Sequence, residues 1–162
     1  MSSNKHQLLG FGNDATQEEI AGWDIDIAPD GAGLPEGSGT VAQGREIFAK
    51  LGAPCHGANG EGTDAAPALV GGQGTLASDS PKKTVGSYWP YATTLYDFIH
   101  RAMPATAPQS LKPDEVYALC AFLLNANGII PDDAVMDQDS LPKVVMPNHD
   151  GFTSPDPRPD VY

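Results

Sequence analysis

A chain of 162 residues that is 40% hydrophobic has material for one compact domain with a modest core, and its 18 Gly and 15 Pro put much of its length into loops. A formal net charge of −12 argues against binding nucleic acid or an anionic membrane surface. No apolar run approaches the roughly 20 residues that cross a bilayer, so no membrane insertion is expected. The acidic surface suits solubility, and it allows steering toward a basic partner.

Residues 1–40 read as an irregular arm. Met1 to Gly10 lacks the apolar stretch of a signal peptide, which leaves a mature form with an added Met1 or a cytosolic protein. Thr16 and Glu19 are spaced as a capping box for a short helix. Asp24–Gly31 and Gly33–Gly39 read as turns and extended chain. Val41–Leu51 is the first good helix, with Val41, Gly44, Ile47, Phe48 and Leu51 on one face. Residues 53–80 form a long loop rich in Gly, Ala and Pro, of the kind that is functional or wrapped around something. Thr93–Ala102 predicts a second helix, with Leu95, Phe98 and Ile99 on its buried side and Pro104 stopping it. Pro113–Asn127 predicts the third, begun by Pro113, Asp114 and Glu115 and ended by Asn127-Gly128. Residues 129–162 are a Pro- and Asp-rich tail. No strand pattern and no repeat stands out, so the expected architecture is all-α, with an arm (1–40), a domain (41–128) and a tail (129–162).

The motif that carries chemistry is Gly52-Ala-Pro-Cys55-His56-Gly57. Covalent haem attachment uses C-x-x-C-H, in which two thiols add to the haem vinyls and the His ligates iron. Here Cys55-His56 is intact and position 52 is Gly, so any attachment is through Cys55 alone. Cys120 falls on the third helix, where packing is the expected role.

The surrounding pattern resembles class I cytochromes c. Gly44, Phe48 and position 52 follow that family's spacing from helical Gly to aromatic to first haem cysteine. Leu119-Cys-Ala-Phe122-Leu123 is similar to its C-terminal helix, Pro67-Ala-Leu69 to the loop after its haem motif, and Met103-Pro104 to its distal ligand. The resemblance implies a class I cytochrome c fold in which Gly44 and Phe122 let the first and last helices approach. It implies haem c with His56 and Met103 as axial iron ligands, 47 residues apart, and a Pro67 carbonyl that fixes the His56 tautomer. Met136 and Met146 are rival ligands in the tail.

The resemblance narrows further. Glu18–Ile27, Thr84–Ala92 leading into Leu95–Pro104, and Leu141–Phe152 are similar to the cytochrome subunit of sulfur or sulfite dehydrogenases. That family implies a periplasmic electron-transfer subunit that accepts electrons from a molybdenum-cofactor dehydrogenase subunit and passes them to a downstream electron carrier. Trp89 and Tyr91 are then candidates to pack on the haem and donate to a propionate, and Arg101 to neutralise a propionate or meet the partner. The alternatives are a stand-alone periplasmic carrier, a sensor or enzyme with an open iron site if Met103 does not ligate, and a haem-free structural module.

Overall fold

The computed structural model describes residues 12–153. The expectation about Met1 to Gly10 therefore lies outside the described residues, as do the last nine residues of the tail.

Three helices carry capping boxes. α1 (Gln17–Trp23) starts at Thr16, whose Oγ1 accepts from Glu19 N while Glu19 Oε2 accepts from Thr16 N. α2 (Val41–Leu51) starts at Thr40 in the same way, with Gln43 returning the bond. The single-turn α4 (Val85–Tyr88) is capped by Thr84 and Ser87. Each box satisfies two N–H groups that a helix start leaves without partners. α3 (Ala53–His56) is another single turn. α5 spans Ala92–Ala102, and α6 spans Pro113–Ala126 with Asn127 as its C-cap and Gly128 beyond it at φ 70°.

α6 is the spine of the core. All nine residues from Val116 to Leu124 are buried, so the helix is enclosed on every side rather than on one stripe. α2 crosses it where two glycines meet Ala118. A Cβ at Gly44 would run into the Ala118 carbonyl, and one at Gly39 into the Ala118 backbone. Only a bare Cα permits that approach, and beside it Phe48 and Phe122 stack with ring centroids 4.9 Å apart. α5 covers α6 elsewhere through Leu95, Tyr96 and Ile99, with Tyr96 4.6 Å from the Tyr117 ring.

Arm and tail are built into this core. Tyr117 donates its hydroxyl to Pro35 O at 2.8 Å, and Asp114 accepts from Ser38 N at 2.8 Å. The tail contributes Met136, Leu141 and Met146, all buried. The two segments meet in a two-stranded antiparallel ladder, β1 (Ser38–Thr40) with β2 (Val135–Asp137), registered Ser38↔Asp137 and Thr40↔Val135. Neither strand is foreseeable from its residues, because three positions are too few to display an alternating pattern.

Three expectations need correction. The loop expected over 53–80 opens with a helical turn, α3. Leu51, expected on the α2 face of Val41, Gly44 and Phe48, is 46% exposed at the helix end, and Phe98, expected on the buried side of α5, is also 46% exposed. Ala92, Leu95, Tyr96 and Ile99 fill the buried stripe at i, i+3, i+4 and i+7, and Phe98 falls beside it.

Candidate functional site

The site begins where α2 ends. Gly52 N donates to Phe48 O at 2.8 Å and closes α2, and Gly52 O then accepts from Cys55 N and His56 N at 3.0 and 2.9 Å. That restart makes the α3 turn. It places Cys55 on the surface as a free thiol and His56 half-buried, and Gly57 ends the turn at φ 83°. A Cβ at position 52 would overlap the Phe48 ring, so the absent side chain is space that Phe48 uses.

The chain then folds back over His56. Gly62 N donates to His56 O at 2.7 Å, and the Thr63 hydroxyl donates to Cys55 O. The Glu61 carboxylate accepts from Asn59 N at 2.7 Å, and backbone N–H groups hold it below the usual carboxylate pKa. His56 Nδ1 lies 2.9 Å from Pro67 O. A carbonyl only accepts, so Nδ1 carries the proton and Nε2 keeps its lone pair for a metal.

Sequence reasoning treated Asn127 only as part of a helix stop, yet it anchors this loop to α6. Its Nδ2 donates to Leu69 O at 3.2 Å and to Leu123 O at 2.8 Å, and its Oδ1 accepts from Gly71 N at 3.0 Å. Gln73 Nε2 donates to the Asn127 carbonyl at 2.8 Å. The available signal was an Asn-Gly pair at a helix end, and it says nothing about partners more than fifty residues away.

Met103 caps α5. Its N–H donates to Ile99 O at 2.9 Å, and its backbone leaves the helix extended, at φ −119° and ψ 147°. Met103, Leu69 and Trp89 are half-buried, each packed against the core. Trp89 meets Phe98 edge to face at 5.5 Å. Tyr91 bridges to Val145 and meets the His149 ring at 5.4 Å. Arg101 spends Nη2 on Asp26 at 2.7 Å and on Asp97 at 2.9 Å, and Nε on Asp97. It thereby ties the arm to α5, and Asp97 chiefly raises its pKa. The rival ligands Met136 and Met146 are packed in the core at 6% and 1% exposure.

These residues fit haem. A protein-only metal site gathers several His, Cys or carboxylate donors, and no group of three lies together among the described residues. An imidazole with a free Nε2 and a thioether are side-chain types that haem iron takes as ligands, and an exposed thiol next to that imidazole suits vinyl attachment. Cys120 is different, because complete burial pushes its thiol pKa up and keeps it unreactive.

Comparison with known proteins agrees. Residues 41–127 match the family model described as cytochrome c. Among solved structures, the sulfane dehydrogenase SoxCD from Paracoccus pantotrophus matches with 49% identity and a TM-score of 0.85, over 93% of this chain and 73% of that one. Thiosulfate dehydrogenase TsdBA from Marichromatium purpuratum matches at 27% identity over 52% of this chain and 17% of that one, with a TM-score of 0.40 that carries no argument. No curated protein sequence matches. Covalently bound haem c with iron goes with the family, as does electron transfer. A family match over more than half the chain and an alignment at this identity lead to one conclusion: the chain belongs to the cytochrome c family.

Proposed function

We propose that this chain is the electron-transfer subunit of a dehydrogenase acting on reduced sulfur compounds. It accepts electrons from a molybdenum-cofactor dehydrogenase subunit in the periplasm and passes them to a downstream electron carrier. The observation that carries this reading is the 49% identity to SoxCD over 93% of the chain, because that match extends well beyond the family domain at 41–127. In the same reading 1–40 is an arm, 41–128 the haem domain and 129–162 a tail, and the oxidation of substrate belongs to the partner subunit.

The proposed roles follow from chemistry at named atoms. With haem bound, the Cys55 thiol would hold it through one vinyl group, and since Gly52 has no thiol the linkage would be single. His56 Nε2 and Met103 Sδ would hold the iron. Haem iron supplies a one-electron couple between ferric and ferrous. The Pro67 carbonyl orients His56 and makes its ring a stronger donor. Leu69, Trp89 and Met103 would help to keep water from the haem, and Tyr91 braces the loop that carries Trp89. The acidic surface steers the chain to basic patches on its partners.

The test has two parts. A pyridine haemochrome spectrum of the purified protein should show one haem with one saturated vinyl. Stopped-flow mixing with the molybdenum subunit and a reduced sulfur substrate should reduce that haem, at a rate that falls with added salt. Absence of a Soret band would remove the reading, as would a haem that the dehydrogenase subunit does not reduce.

A further inference from the structure

We infer that Asn127 is a positioning residue for the iron ligand His56, acting through the loop that holds the imidazole. The inference rests on His56 being the ligand.

Asn127 is 8% exposed, one of few buried polar side chains in the described chain. Its two amide protons go to Leu69 O and Leu123 O, and its Oδ1 takes Gly71 N–H. α4 closes the site on another side, where a Cβ at Gly86 would overlap the Asn127 amide. The demand is specific: two carbonyls need donors and one N–H needs an acceptor, all within reach of a short side chain. Asp offers no second donor, Gln is one methylene too long, and an aliphatic residue satisfies none of them. Burial means that water does not readily substitute.

What Asn127 holds is the segment just after Pro67. Leu69 is pinned from both sides, its carbonyl by Asn127 and its N–H by Gly60 O at 2.8 Å. Pro67 lies two residues upstream, and its carbonyl sets the His56 tautomer and ring angle. The C-terminal end of α6 thus reaches the imidazole through one amide, one short loop and one carbonyl. A tight Nδ1–H···O bond makes the imidazole more basic and so favours ferric iron. Loosening the loop weakens that bond and moves the couple the other way.

The experiment uses haem-loaded full chain in three variants: Asn127→Ala, the milder Gln73→Ala at an exposed side chain, and Leu141→Ala as a core truncation. Proton NMR follows the hyperfine-shifted His56 Nδ1–H, and electrochemistry gives the reduction potential. In Asn127→Ala the Nδ1–H should exchange roughly tenfold faster, as expected when one hydrogen bond is weakened. Its potential should rise, and Gln73→Ala should show a smaller change of the same sign. Leu141→Ala should lower Tm while leaving both readings unmoved. If Asn127→Ala and Gln73→Ala lower Tm and leave Nδ1–H exchange and potential at their original values, Asn127 is only structural and the inference is overturned. If the unmutated protein shows no such Nδ1–H resonance, the His56 assignment fails and takes the inference with it.

Discussion

Met103 leaves α5 extended and half-buried, so truncating it tests the proposed iron ligand without removing a fully buried core side chain. Met103→Ala should lose the Met–iron charge-transfer band, bind carbon monoxide or cyanide faster and fall in potential, because a thioether favours ferrous iron. An unchanged absorption spectrum would shift the ligand elsewhere. Gly52 makes a second prediction. With one vinyl left conjugated, the reduced α band should lie to the red of an ordinary c-type cytochrome, and Gly52→Cys should move it back to the blue. The Phe48 ring must give ground first, so before attachment Gly52→Cys should be destabilised by about 1–3 kcal/mol in urea unfolding. Cys55-His56 is a local pair that can be read directly, whereas the roles proposed for Pro67 and Met103 come from the resemblance to class I cytochromes c. The part played by Arg101 was not legible, since its partner Asp26 lies 75 residues away in a segment that reads as irregular. Asn127 was hidden for the same reason: its bond to Leu69 spans 58 residues.

Between elements, the α2–α6 crossing is the least tolerant contact. At Gly44 the obstacle is the Ala118 carbonyl, part of a buried helix backbone that cannot swing aside. Gly44→Leu should therefore cost roughly 3 kcal/mol, the upper end of ordinary overpacking, measured as a shift in urea midpoint at constant m. A loss below about 0.5 kcal/mol would mean that the helices do not cross there. Helices α2, α5 and α6 were readable from spacing and caps, since each repeats its apolar period over several turns. α3 and α4 are single turns, too short to show a period. α4 starts at a capping pair, Thr84 and Ser87, in which Ser stands in the place of the usual Glu or Gln, so the usual signature is missing. Phe98 was misplaced because three apolar residues in five positions allow two choices of face, and only the neighbours decide between them.

For the molecule as a whole, acid should loosen the tail. The Ser140 hydroxyl and then the Ser140 N–H hold the Asp137 carboxyl below its ordinary pKa of 3.8, although partial burial works the other way. Because the folded value is the lower one, this contribution is fully present above about pH 4 and is lost as pH falls through the folded pKa. Asp137→Asn should lower the neutral plateau of a Tm–pH profile and flatten its acid limb, so that variant and parent converge at low pH; a variant whose acid limb keeps its full slope would place the sensitive group elsewhere. The β1–β2 ladder has a mechanical consequence as well. The chain enters β1 at Ser38 and leaves β2 at Asp137, and these two residues face each other. Tension applied between residues 38 and 137 therefore loads one end of the ladder and opens it like a zipper, rung by rung toward Thr40 and Val135, rather than shearing all rungs together. In a force-clamp or optical-trap measurement the protein should yield at a low force with a small extension while α2, α5 and α6 stay folded, a weak link placed ahead of the core.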